Sequence, residues 1–271
     1  MNSPHDSFKR CKLCQATTAV PTYHLAKTTI YRCSNCEFHF SDYLDGPLPP
    51  AAPTILDSNT SRYIDMRSRA SIDLTAQRLA LLSRCRDVQA CRLLDIGAGI
   101  GRFMLAAKQQ GALVEGIEPS RLRRDYALSN SALSLHPDTV ESPFWQTGYR
   151  EYFHVITLWD VIEHVDFPVE TLLQAVNLLK PGGLLLLETP DRMALPYRLS
   201  ERLYRLSNGR FNLFLDNFYS VAPYGHKQIF TRPQLVELCE HAGLQLCYLS
   251  GAYQCQTARG KNIILGATKP G

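Results

Sequence analysis

The sequence predicts an α/β protein built on a doubly wound parallel sheet, with a small cysteine-stapled module in front of it. Three observations lead there. From about residue 61 onward, short apolar runs alternate with stretches of helical periodicity, the pattern of a parallel sheet covered on both faces. The first of those apolar runs ends in a glycine-rich turn, Gly97-Ala98-Gly99-Ile100-Gly101. Four cysteines, Cys11, Cys14, Cys33 and Cys36, stand in two C-x2-C pairs within the first forty residues. The chain has 271 residues, of which 45% are hydrophobic and 20% charged, enough for one sizeable core and an appendage. The longest apolar stretches, Val155 to Trp159 and Leu184 to Leu187, fall far short of the roughly 18 residues that cross a bilayer. The first ten residues carry charges and a proline but no apolar core, so they do not read as a signal peptide, and the expected compartment is the cytoplasm. A net charge of +4 is too modest for the basic stripe of a nucleic-acid binder.

At the front, a two-residue gap lets both sulfurs of a cysteine pair converge from one tight turn, and two such knuckles supply the four thiolates of a tetrahedral zinc site. Cys11, Cys14, Cys33 and Cys36 are therefore the expected ligands of one structural Zn2+. A catalytic metal is disfavoured because four thiolates leave no open position. His39 is a conceivable substitute ligand, and a redox role for the C-x2-C pairs is the rival chemistry. With nine cysteines, an odd number, and no export signal, a disulfide framework is not expected. The β-prone runs Thr22 to Leu25 and Thr28 to Arg32 suit a ribbon of small strands over residues 1–44. Residues 45–60 hold Pro47, Pro49, Pro50 and Pro53 and read as a semi-rigid linker. The main domain then spans 61–271.

Mixed helical spacing from Ser61 to Cys85 predicts one or two amphipathic helices. Strands follow at RLLDIG (from Arg92), LVEGIE (from Leu113), HVITLWD (from His154) and LLLLET (from Leu184), separated by helices at Arg102 to Gln110, Arg121 to Ser129 and Pro168 to Leu179. A third strand is placed near Leu133 to His136. Thr231 caps a helix with Pro233 in its first turn and Gly243 at its end, before a final pair of strands at Leu244 to Tyr248 and Asn262 to Ala267. The glycine spacing is G-x-G-x-G, with Arg102 where a dinucleotide fingerprint needs its third glycine. Glu118 closes the second strand, where a carboxylate can accept both hydroxyls of a ribose.

In DIGAGIGRF, GIEPS, WDVIEHV and LKPGGLLLLETPD, in that order, the chain resembles the class I S-adenosylmethionine-dependent methyltransferases across about residues 60 to 267. The resemblance implies a Rossmann-like sheet of seven strands with the last one antiparallel, and S-adenosylmethionine as methyl donor. It implies that Gly97, Gly99 and Gly101 lie under the cofactor's amino-acid portion, with Asp95 orienting that loop or meeting the ammonium through water. It further places Glu118 on the ribose, Thr139 and Val140 at the adenine edge, and Trp159 and Asp160 beside the methionine portion. Ordinary loop packing is the competing account of the last four.

The insertion at about 191–230 carries Arg192, Arg198, Arg202, Arg205 and Arg210 among eight aromatics, and Leu195, Leu199, Leu203 and Leu206 form a stripe at helical spacing. Three readings stand: a helix packed on the core with a solvated arginine face, a lid over the acceptor, or a helix lying on a membrane surface. Methyl transfer is an in-line displacement, so a base is needed only for the acceptor's proton, and His164 and His226 are the candidates. The ribbon-plus-domain layout resembles bacterial enzymes that O-methylate sugars and other secondary metabolites, and the arginines suit a phosphate-bearing acceptor such as a nucleotide sugar. A quinone-type O-methyltransferase, a ribosomal RNA base methyltransferase and a catalytically silent binding module are the alternatives.

Overall fold

The computed structural model of the chain describes residues 8–45, 72–221, 225–253 and 260–271. The proline-rich linker beyond Asp45 and the first part of the helix expected from Ser61 lie outside them. Two sheets form. The smaller begins with β1 (Ala19–His24), β2 (Thr29–Cys33) and β3 (His39–Ser41), paired antiparallel in chain order. The β1–β2 turn is closed by Leu25 N donating to Thr28 O at 2.9 Å, while Asp42 accepts from Thr28 Oγ1 (2.6 Å) and Thr29 N (2.9 Å). Both devices satisfy backbone donors that a two-strand edge would leave to solvent.

Helix α1 (Ile72–Cys85) leads into the main domain. There β4 (Arg92–Ile96), α2 (Arg102–Gln109), β5 (Leu113–Ile117), α3 (Arg121–Ser131), α4 (Pro143–Gly148), β6 (Phe153–Trp159), α5 (Pro168–Leu178) and β7 (Leu179–Pro190) alternate as expected. After β7 come α6 (Leu195–Leu206), α7 (Leu215–Phe218), β8 (Gln228–Ile229), α8 (Arg232–His241), β9 (Gln245–Ser250) and β10 (Asn262–Thr268). The large sheet runs β5-β4-β6-β7-β10-β9, parallel through its first four strands, and β10 is antiparallel to both neighbours. Leu93, Leu94, Leu158, Leu185 and Leu187 are buried, as strands covered on both faces require. The cap expected at Thr231 forms, and Gln234 completes it as a capping box.

Two expectations change. The third strand shrinks to an isolated parallel bridge between Ile117 and His136, fixed by His136 N to Gly116 O and Glu118 N to His136 O, both 2.9 Å. Six strands therefore stand where seven were expected. The bridge still serves a purpose, because it pins Glu118 at the end of β5. Strand β7 starts at Leu179, ahead of the Leu184 expected, and its register jumps from Phe153 opposite Leu179 to Val155 opposite Leu184.

The cysteine module is joined to the rest of the core. Strand β8 pairs antiparallel with β3, placing Ile229 opposite His39 and Gln228 opposite Phe40. Phe38 meets Phe230 with ring centroids 4.9 Å apart, and both are fully buried. Burying a phenylalanine contributes up to about 3 kcal/mol, so this aromatic seam is a substantial part of what holds the module in place.

Candidate functional site

Four sulfurs converge at one end of the small sheet. Cys11 Sγ lies 3.6 Å from Cys36 Sγ, Cys14 Sγ lies 3.6 Å from Cys33 Sγ, and all four fall within 4.8 Å of one another. A tetrahedral zinc site with ~2.3 Å bonds has edges of about 3.8 Å, so the spacing suits that ion. Leu13 N and Asn35 N each donate to a knuckle sulfur, Cys11 and Cys33, at 3.4 Å, the outer contacts that stabilise thiolate ligands. A hydrogen bond from Cys11 pulls the Cys36 thiol down to about 5. His39 points elsewhere: it is buried, and its Nδ1 sits 3.0 Å from Tyr197 Oη.

The second site is a cavity of about 640 Å³ at the C-terminal ends of β4, β5 and β6, where open α/β sheets bind ligands. Its wall begins at the glycine turn. Gly97 has φ 71°, and a Cβ there would stand 2.5 Å from Val161 Cγ2, so backbone conformation and packing both demand glycine. Gly99, with φ 59°, donates its N–H to Glu118 Oε2 at 2.8 Å, and Ser120 N reaches Oε1 at 2.9 Å. Each oxygen keeps a lone pair for a diol, which is the chemistry a ribose needs. Burial pushes the Glu118 carboxyl up, while Arg123 at 3.6 Å and the two amides oppose the shift. Ile117, Pro119, Thr139, Val140 and Glu141 continue the wall on one side; Trp159, Asp160 and Val161 continue it on the other.

A methyltransferase-domain family model matches residues 62–249. The chain belongs to this methyltransferase family. A ubiquinone biosynthesis O-methyltransferase of Aeromonas salmonicida is 29% identical over 181 residues, covering 64% of this chain and 72% of that protein. Another of that name, from Saccharophagus degradans, is 26% identical over 186 residues, covering 66% and 74%. In fold the chain is similar to the Burkholderia thailandensis 1,6-didemethyltoxoflavin-N1-methyltransferase solved with bound 1,6-didemethyltoxoflavin and S-adenosylhomocysteine, with TM-score 0.52, 16% identity, and 93% and 99% of the two chains covered. The protein is a class I S-adenosylmethionine-dependent methyltransferase. The cavity suits that cofactor, because Glu118 offers paired acceptors beside a close-approach glycine turn.

Within the methyltransferase, Gly97, Glu118, Thr139, Val140, Trp159, Asp160 and His164 line the cavity. Asp95 lies beneath it: Thr157 Oγ1 donates to its Oδ1 at 2.6 Å, and full burial raises the carboxyl to about 7. His226 sits behind His164, the rings 4.5 Å apart. Glu163 completes a trio whose ligand atoms also lie within 4.8 Å of one another, with its Oε2 accepting from Thr189 Oγ1 at 2.9 Å. Glu163 Oε1, His164 Nδ1 and His226 Nδ1 are buried with no hydrogen-bond partner among the described residues. Burial holds His164 down to about 4 and lowers His226 as well, so both rings are neutral proton acceptors near pH 7.

Sequence reasoning missed two groups. Arg78 of α1 pairs with Asp160 Oδ2 and Glu188 Oε2, each at 2.5 Å, and its guanidinium lies 5.1 Å from the Trp159 ring. Asp160 has φ 56°, so this clamp holds a left-handed residue at the cavity wall. Lys227, 1% exposed, pairs with Asp45 Oδ2 at 2.5 Å and Asp166 Oδ1 at 3.2 Å, tying the end of the cysteine module to the loop after β6. Lys227 follows His226 directly, and that adjacency is the only trace of it in the sequence.

The insertion touches the cavity through Lys227, while its helix α6 packs elsewhere. Among the described cavity-lining residues none belongs to α6. That helix turns Tyr197 and Ser200 inward against the cysteine module and leaves Leu195 77%, Leu199 45% and Leu206 84% exposed. Arg192 reaches the Glu37 carbonyl and Arg205 the Tyr23 hydroxyl, away from the cavity. Leu195, Leu199 and Leu206 thus lie outside the core and away from the cavity, while Leu203 is half-buried.

Proposed function

We propose that the enzyme methylates a hydroxyl oxygen of a small molecule, and that the four cysteines hold a structural Zn2+. The observation that carries the first part is the continuity of one cavity from Glu118 and Gly97 to His164. The bound cofactor supplies an electrophilic methyl group on a sulfonium. This chain's residues do the rest. Glu118 and the glycine turn orient the donor, Trp159 and the clamped Asp160 shape the wall at the far end, and Val161 and Phe167 narrow the space around the acceptor. His164 takes the acceptor's proton as the new C–O bond forms, with Glu163 Oε1 3.8 Å from its Nε2.

The five arginines of the insertion lie outside the cavity, whose own cations, Lys227 and Arg123, are engaged by Asp45 and Asp166 and by Glu118 respectively. A sugar or secondary-metabolite hydroxyl remains compatible, and the relatives' names favour the second reading, a phenol of the quinone-precursor type. The free thiols Cys91 and Cys239, both buried, suit a reducing compartment, and we place the enzyme in the cytoplasm. No described helix is long and apolar enough to cross a membrane. The decisive experiment is transfer of a labelled methyl group across catechols and quinone precursors, sugars, nucleotide sugars and ribosomal RNA, with mass spectrometry of each product. Labelling of RNA alone would overturn the small-molecule reading.

A further inference from the structure

We propose, on the reading that seats the acceptor beside His164, that Lys227 and Gln228 are positioning residues for that end of the cavity. From the edge strand of the cysteine module they hold the loop 162–165, which carries His164. Four consecutive carbonyls of this loop are met by donors from these two residues. Gln228 Nε2 donates to Ile162 O at 2.8 Å and to Val165 O at 2.7 Å. Lys227 N donates to Glu163 O at 2.8 Å, Gln228 N lies 3.3 Å from the same oxygen, and Lys227 Nζ donates to His164 O. A loop at the mouth of a ligand cavity ordinarily leaves its carbonyls to water, whereas here one dipeptide fixes the whole run.

Both side chains are committed to this contact. Gln228 is fully buried, gives its amide nitrogen to two loop carbonyls, and leaves Oε1 with no hydrogen-bond partner among the described residues. Core packing alone gives no reason for a glutamine with an unsatisfied oxygen in a buried strand; the two carbonyls it serves do. Lys227 is steadied from the module's side by Asp45 and from the loop's side by Asp166, and Asp45 N donates to Asp166 Oδ1 at 3.1 Å. Behind the dipeptide, Ser41 N donates to Lys227 O at 2.7 Å, and Gln228 stands opposite Phe40 in the antiparallel pairing of β8 with β3. The cysteine module is therefore the support against which His164 is aimed. A displacement of about 1 Å in a reacting group can cost about a hundredfold in rate, so such a support bears directly on methyl transfer.

The test uses the full chain and needs no acceptor. Gln228→Met removes the two side-chain bonds at constant length and leaves the titratable and charged groups around the His164 ring, Glu163, His226, Lys227 and Arg123, in place. Burial holds that ring down to about 4, so release of the loop should raise its pKa, followed by NMR, by at least about one unit. The signal is assigned by its loss in His164→Ala. Amides of residues 162–165 should exchange at least about tenfold faster, as two lost hydrogen bonds imply. Affinity for S-adenosylhomocysteine, set at the Glu118 end, should stay within about threefold of the parent. Lys227→Met leaves Asp45 and Asp166 unpaired, so it is read by loop exchange only, and Gln228→Met decides alone where it does not fold. Loop exchange at the parent's rate in either variant, or a His164 ring that titrates with the parent in Gln228→Met, overturns the proposal. Cofactor affinity that falls together with loop protection shows collapse of the whole cavity and overturns it too. Turnover of His164→Ala decides separately whether that ring is the base, so either reading can fail without the other.

Discussion

Replacing Glu118 by alanine tests the placement of the cofactor most directly. The carboxylate is 3% exposed, and each oxygen already receives one backbone donor, from Gly99 at 2.8 Å and Ser120 at 2.9 Å. On the proposed placement of the cofactor, what remains on each oxygen serves the ribose diol. A hydrogen bond to a charged group contributes about 1.5 to 3 kcal/mol, so losing the diol contact should raise the dissociation constant for S-adenosylmethionine about ten- to 150-fold. Arg123, 3.6 Å away but half exposed, adds little by itself, and Arg123→Ala should shift affinity less than about fivefold. Glu118→Gln should resemble the alanine variant, because an amide can accept from only one of the two N–H groups and must oppose the other. Isothermal titration of the three variants gives the answer. A dissociation constant within threefold of the parent in Glu118→Ala would place the ribose elsewhere and remove the argument for the β5 terminus.

If His164 is the base, His164→Ala should cut turnover by about 10² to 10⁴ with cofactor affinity nearly unchanged, and His226→Ala should cost less; equal turnover in all three proteins refutes both roles. Burial holds His164 at about 4 against an ordinary 6.5, so its neutral form is the one folding favours, and the stability it contributes is complete above about 6.5 and declines as pH falls toward 4. Thermal melts through that window should show the decline, less steeply in His164→Ala, and parallel curves would contradict it. Purified without chelator, the protein should carry one zinc per chain, and less than half an equivalent would sink the four-cysteine assignment. Arg78→Met should lower stability by about 3 to 5 kcal/mol, because Glu188, 2% exposed, loses its charge partner; a melting temperature within about 2 °C of the parent would show that the clamp is dispensable.

What could be read in advance divides along physical lines. The glycine turn, Glu118 and the cysteine knuckles were legible because covalent geometry restricts which residues can serve: few side chains tolerate φ 71° against Val161, and few bind zinc from a tight turn. Helix α8 was legible because Thr231, Gln234 and Pro233 encode its start locally. The orientation of α6 was not. Periodicity identifies an amphipathic helix without saying which face is buried, and here Tyr197, Ser200 and Tyr204 win the inward side through hydroxyls that meet His39, Tyr219, the Pro196 carbonyl and the His24 backbone. Arg78 and Lys227 escaped notice because long-range ion pairs leave no local pattern. Strand β8, two residues long, is too short for alternation to register.

That short strand also sets an order of events during synthesis. Strand β3 leaves the ribosome with the four cysteines, so metal can be captured while most of the chain is still unmade. Its outer edge then has to wait for Gln228 and Ile229, nearly two hundred residues later. At ordinary translation rates the wait is roughly 10 to 40 s, during which Phe38 and Phe40 lack Phe230 and an unpaired strand edge is available to other nascent chains. A holdase that shields this edge, or slower aggregation of the refolding protein when the N-terminal module is supplied already loaded with zinc, is what such a delay leads one to look for.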